Sequence, residues 1–109
     1  MLEQGALSGL KIVELTDRVS GQVAGSFCAR LLGDAGADVV KVEPPEGDAY
    51  RRNGPYPAGV PDPDHSGLFL YLNSNKRGVR LDIESPEGRA AFSDLVSAAD
   101  LLVLGQNSL

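Results

Sequence analysis

Residues 10–45, LKIVELTDRVSGQVAGSFCARLLGDAGADVVKVEPP, leave this chain few folds to choose from. A short apolar run over 10–16 leads into a glycine-containing turn, and the spacing after it predicts a helix over 23–35. Val23, Ala24, Phe27, Cys28, Leu31, Leu32 and Ala35 recur at three- and four-residue intervals, the pattern of one buried helix face. Ser26, Arg30, Gly33 and Asp34 are expected on the opposite side. Gly36 stands where a left-handed residue would end the helix, and 37–42 reads as a second strand. A strand, crossover helix and strand of this length favour a right-handed parallel βαβ unit. Such a unit brings its first turn and helix N-terminus to the carboxyl edge of the sheet, where open α/β folds bind ligands.

Residues 1–9 read as a lead-in that is frayed except where Leu7 and Leu10 reach the core. Six of the seven prolines lie between Pro44 and Pro63, which excludes a regular helix or a central strand there. A loop over 44–67 is therefore expected as a surface excursion, functional or mobile. LFLYL at 68–72 is too short for its period to separate strand from helical turn. Residues 73–78 have turn chemistry, and 79–83 alternate as a strand. Ser85 then offers an N-cap, Pro86 suits the first helical position, and Glu87 complements the helix dipole. Phe92, Leu95, Val96 and Ala99 form the apolar stripe of this second helix, and 101–104 reads as a buried strand. The two helix–strand pairs echo each other, as in a doubly wound sheet. The fold class expected is α/β, a Rossmann-like parallel sheet with flanking helices, with residues 10–109 forming part of such a domain. Four strands and two helices would cover a parallel sheet poorly, so the chain reads as unfinished.

A net charge of −5 argues against broad nucleic-acid binding, although a local basic pocket for a phosphorylated ligand stays open. The single cysteine, Cys28, excludes an intrachain disulfide, fits a reducing compartment and is expected to pack as a small buried hydrophobe. No apolar run has the length to span a bilayer, and the start of the chain lacks signal-peptide character. The expectation is a cytoplasmic protein.

The turn Ser20-Gly21-Gln22-Val23-Ala24-Gly25 has neither the G-x-G-x-x-G spacing of dinucleotide folds nor the ending of a P-loop. What it offers is a helix start with small residues, able to approach an anion or a flat ring, or simply an ordinary turn. Glu43, about 20 residues on, stands where dinucleotide folds place a ribose-binding acid, or is a solvated strand end. Lys76 and Arg77 could meet phosphate or carboxylate, or form a solvated turn. Arg51 and Arg52 could fold over a polyanion. His65 has no second histidine or cysteine beside it, so Asp62, Asp64 and His65 read as an acidic turn and no metal site is expected.

In order and spacing, LSGLKIVELT, VAGSFCARLLGDAGADVVKVEPPEGD, NSNKRGVRLDIESPEGR and SAADLLV resemble the N-terminal part of the family III CoA-transferases. That group includes formyl-CoA transferase, carnitine and bile-acid CoA-transferases and α-methylacyl-CoA racemase. The resemblance implies a Rossmann-like domain that binds coenzyme A, and a dimer of interlocked chains. It implies either CoA transfer between carboxylic acids, through acyl-aspartyl and enzyme-CoA thioester intermediates, or racemisation of an acyl-CoA. Gln22, Val23, Ala24 and Gly25 match the family's CoA-binding segment, and Leu81 an apolar position beside the nucleotide. Pro44 replaces a residue that is often Arg near the adenine, and Glu84 falls where some members have Lys. Gly105 and Gln106 occupy places that line the pantetheine without matching the residues. The family's catalytic Asp, like the racemase acid and base, has no counterpart here, so the isolated chain is expected not to turn over. The expected partners are CoA or acyl-CoA, with either a second copy or the remainder of the same enzyme. The other readings are a non-catalytic CoA- or nucleotide-binding module and an NAD-type Rossmann domain.

Overall fold

The structure, a computed structural model, describes residues 5–16 and 23–105. Four strands, β1 (Lys11–Leu15), β2 (Asp38–Glu43), β3 (Lys76–Arg80) and β4 (Leu101–Leu104), form one parallel sheet in the order β3-β2-β1-β4. Helix α1 (Ala24–Asp34) joins β1 to β2, the short α2 (Gly67–Leu72) precedes β3, and α3 (Pro86–Ser97) carries the chain from β3 to β4 across the sheet. The α/β, Rossmann-like architecture expected from the sequence is what forms.

Alternation along the strands feeds two cores. Ile12 and Val39 pack with Ala29 and Leu32 of α1, and with Leu7 and Leu10 of the lead-in. Val13, Leu15 and Val42 point the other way, onto Phe92, Leu95 and Val96 of α3. Each face thus carries one long helix, as a parallel sheet requires, but only the central strands β1 and β2 are well buried; no residue of β3 or β4 is. Each fully buried aliphatic side chain contributes about 1.5–3 kcal/mol to this arrangement. Gly36 takes φ +109 at the end of α1, and Leu7 donates its N–H to the Ala35 carbonyl at 2.9 Å, tying the lead-in to the helix end. Ser85 caps α3 through the Gly88 N–H at 2.9 Å.

Three expectations are corrected. The buried residues of α1 are Ser26 and Ala29, while Phe27 (37% exposed), Leu31 (52%) and Val23 lie outside. Cys28 is exposed as well. Small residues win the sheet-facing side because α1 sits close to the strands: a Cβ on Gly25 would stand 2.9 Å from Thr16 Cγ2. Phe27 instead stacks on Tyr71 of α2, with centroids 6.3 Å apart. Strand β3 starts at Lys76 rather than at residue 79, because Asn75 takes φ +63, ending the turn there, and Lys76 pairs with Val39. The 44–67 segment runs over the surface as expected, exposed over most of 52–65, but it is tied down near both ends. Gly47, Asp48, Tyr50 and Ser66 are buried, and Tyr50 packs with Phe69 and Leu72 in a third apolar cluster.

Candidate functional site

A cleft of about 580 Å³ opens at the carboxyl ends of β1, β2 and β3, on the side of the sheet that α3 covers. Leu15, Val42 and Leu81 form its apolar floor, and Pro44, Pro45, Gly47 and Ala49 one wall. Asp82, Ile83 and Glu84 form the other, and Glu46 and Arg52 complete the lining. Parallel strands ending together produce this opening, because each chain must leave the sheet at the same rim. The walls are set by local chemistry. Asp82 Oδ1 accepts the Glu84 N–H at 3.0 Å, and Ser85 Oγ donates to the Asp82 carbonyl at 2.8 Å, so the segment after β3 folds into a tight turn. Arg80 donates to the Pro45 carbonyl at 3.1 Å and holds the other wall to the strand end.

Behind the rim, on the α1 side, lies a chain of buried charges. Glu14 and Asp48 are fully buried, and Lys41 lies 2.8 Å from a carboxylate oxygen of each. Lys76 reaches Glu14 Oε1 at 2.6 Å and donates to the Ser26 carbonyl at 2.9 Å and to Asn73 Oδ1 at 2.8 Å. The Thr16 hydroxyl also donates to Glu14. Burial alone would raise the Glu14 pKa, but Lys41 and Lys76 outweigh it and the carboxyl titrates below its ordinary value. Burial likewise opposes the charge on Lys41, yet Glu14 and Asp48 raise its pKa. For Lys76 burial prevails, and its pKa falls. The Lys76 ammonium is thus occupied by Glu14, Ser26 and Asn73 under α1, and Arg77 is engaged with Asp38 at 2.8 Å.

Glu43 is also committed. Arg51 grips both its carboxylate oxygens, at 2.7 and 2.9 Å, and the Asp48 N–H donates to Oε1 at 2.8 Å. Burial pushes the Glu43 pKa up, but these donors more than reverse it. Arg51 further donates to the Pro63 carbonyl at 3.0 Å and lies 3.7 Å above the Phe69 ring, so it pins the proline-rich segment to the end of β2.

Of the residues singled out in the sequence, Leu81 lies in the cleft floor, and Pro44, Arg52 and Glu84 also line the cleft. Val23, Ala24 and Gly25 stand at the same rim one strand over, where Gly25 faces Thr16 and Val103. There β1 lies between β2 and β4, the topological switch point of the sheet. Gly105 follows β4 beside them, donating its N–H to the Leu15 carbonyl at 3.1 Å. None of these four lines the cleft, nor does Glu43. Gln22 and Gln106 lie outside the described residues. Sequence reasoning passed over the Glu14–Lys41–Asp48 chain, although a lysine inside the apolar run Val39–Val42 was a visible signal of a buried partner. It also missed Glu46 and Asp82 in the cleft, which only the meeting of two distant loops brings together.

A parallel sheet with helices on both faces and an open cleft at its carboxyl rim defines the class of α/β ligand-binding domains. The sequence profile of CoA-transferase family III matches residues 7–108, and the chain belongs to that family. It is 42% identical over 99 residues to the succinyl-CoA:mesaconate CoA-transferase of Haloarcula hispanica, covering 91% of this chain and 24% of that protein. It is 40% identical to the (R)-2-hydroxy-4-methylpentanoate CoA-transferase of Clostridioides difficile, covering 89% and 23%. The crystal structure of a CAIB/BAIF family protein from Brucella suis superposes with a TM-score of 0.72 at 35% identity, over 94% of this chain and 26% of that one. The chain thus spans about a quarter of the length of the relatives it matches.

Proposed function

We propose that this chain is the N-terminal, coenzyme A-binding portion of a CoA-transferase-like enzyme that moves CoA between carboxylic acids. The carrying observation is the open cleft at the carboxyl rim, with Leu81 in its floor, in a chain of this family. In this reading the apolar floor of Leu15, Val42 and Leu81 takes the adenine. The pantetheine arm runs along the rim towards Val23, Ala24, Gly25 and Gly105, with Gln22 and Gln106 nearby in sequence.

Transfer through an acyl-aspartyl anhydride needs a carboxylate that attacks the thioester carbon and expels the CoA thiolate. It also needs donors for the oxyanion that develops. The buried carboxylates near the rim are poor nucleophiles, because Glu14 and Asp48 are neutralised by lysines and Glu43 by Arg51. The nucleophilic Asp accordingly belongs to another part of the enzyme. Calorimetric titration of the full-length protein with CoA and NAD tests the ligand: CoA should bind and NAD should not, and the reverse overturns the reading. A transferase assay with succinyl-, formyl- and branched acyl-CoA donors tests the division of labour. Turnover is expected from the full-length enzyme, and turnover by the 109-residue chain alone would refute the assignment.

A further inference from the structure

Charge is unevenly shared around the cleft. Among the described residues, three carboxylates, Glu46, Asp82 and Glu84, line it, against a single cationic side chain, that of Arg52. The neighbouring arginines are already engaged. Arg51 is on Glu43, Arg80 on the Pro45 carbonyl, Arg77 on Asp38 and Arg89 on the Glu84 carbonyl. Arg52 is exposed, and among the described residues it forms no hydrogen bond or ion pair. Its backbone, in contrast, is fixed. It ends the 3₁₀ turn Ala49–Arg52, which buried Asp48 caps through the Tyr50 N–H, and it follows Arg51, which Glu43 and Phe69 hold in place.

We propose that Arg52 is the anion anchor of this cleft, taking a phosphate group of the coenzyme through its uncommitted guanidinium. The inference rests on the coenzyme A reading above and adds to it a residue that decides ligand choice. A phosphate placed elsewhere in the cleft would meet carboxylates, so the single cation also sets the direction in which the ligand enters. The carboxylates suit the hydroxyl and amino donors of a nucleoside. A guanidinium held on a rigid turn loses little backbone freedom on binding, and its planar fork matches a phosphate's oxygens.

The test is calorimetric titration of the full-length wild-type protein and its Arg52→Ala and Arg52→Lys variants with CoA, 3′-dephospho-CoA and pantetheine. Arg52→Ala should weaken CoA about 5- to 20-fold, and Arg52→Lys should weaken it less. The wild type should lose CoA affinity with added salt more steeply than Arg52→Ala. If the effect of Arg52→Ala disappears with 3′-dephospho-CoA, the contact is to the 3′-phosphate; if it persists, the contact is to the diphosphate. Unchanged CoA affinity in Arg52→Ala overturns the inference while leaving the coenzyme reading intact, as does an equal loss for pantetheine, which carries no phosphate. Failure of the wild type to bind CoA overturns both.

Discussion

Replacing Lys41 by Met tests whether the buried charges hold this fold together. Lys41 is 2% exposed, and its ammonium lies 2.8 Å from both Glu14 and Asp48. Methionine keeps most of the volume but leaves Asp48 with the Tyr50 N–H, at 2.8 Å, and, among the described residues, no remaining cation in contact, while Glu14 keeps Lys76. Removing one partner of a buried pair costs about 3–5 kcal/mol, a large share of the ~5–15 kcal/mol available to a whole domain. At ~4–8 °C per kcal/mol, the melting temperature should fall by at least about 12 °C. Circular dichroism with heat and urea measures this, and Lys41→Met/Asp48→Asn should recover part of the loss, a coupling of ~0.5–3 kcal/mol. Lys76→Met should cost less, because burial already outweighs the partners of Lys76. The pH dependence has a definite sign. The folded-state pKa of Glu14 lies below its ordinary 4.5, so its contribution is present above that value and is lost as pH falls through the folded pKa. That of Lys41 lies above 10.5, so its contribution holds below that value and is lost as pH rises through the folded pKa. A Lys41→Met protein within about 1 kcal/mol of wild type, or one more stable than Lys76→Met, would refute the reasoning.

Two further changes probe what shapes the cleft. Arg51→Met removes the cation from buried Glu43 and frees the proline-rich segment. Hydrogen exchange should rise across 44–66 while the amides of β1 stay protected, with a cost of roughly 2–3 kcal/mol, and uniform protection would contradict the clamp. Ser85→Ala removes the α3 cap and a donor to the turn that forms one cleft wall; a loss of ~1 kcal/mol in urea unfolding is expected, and no loss would show the cap to be redundant.

The chain order of elements was legible because local rules suffice for it. The apolar run of β1, the Ser85-Pro86-Glu87 helix start and the apolar run of β4 each specify their element from a few neighbouring residues. The short LFLYL segment was undecided in sequence, and became α2 because Ser66 caps it through Phe69 N–H at 3.1 Å and Tyr50 packs on Phe69. The inward face of α1 was misread for a related reason. Periodicity finds the side richest in large apolar residues, whereas the sheet selected Ser26 and Ala29, the residues small enough for close approach.

What the sequence alone determined was the parallel α/β class and the family, both carried by runs and motifs contiguous in the chain. The tertiary structure decided which charges are spent and which remain available. Glu43 and Arg51, eight residues apart, cancel each other; Lys76 and Glu14 meet across a long stretch of chain; Arg52 is left at the cleft. Spacing cannot assign those roles, because a charge's chemistry depends on its neighbours in space and on its distance from water, and folding sets both.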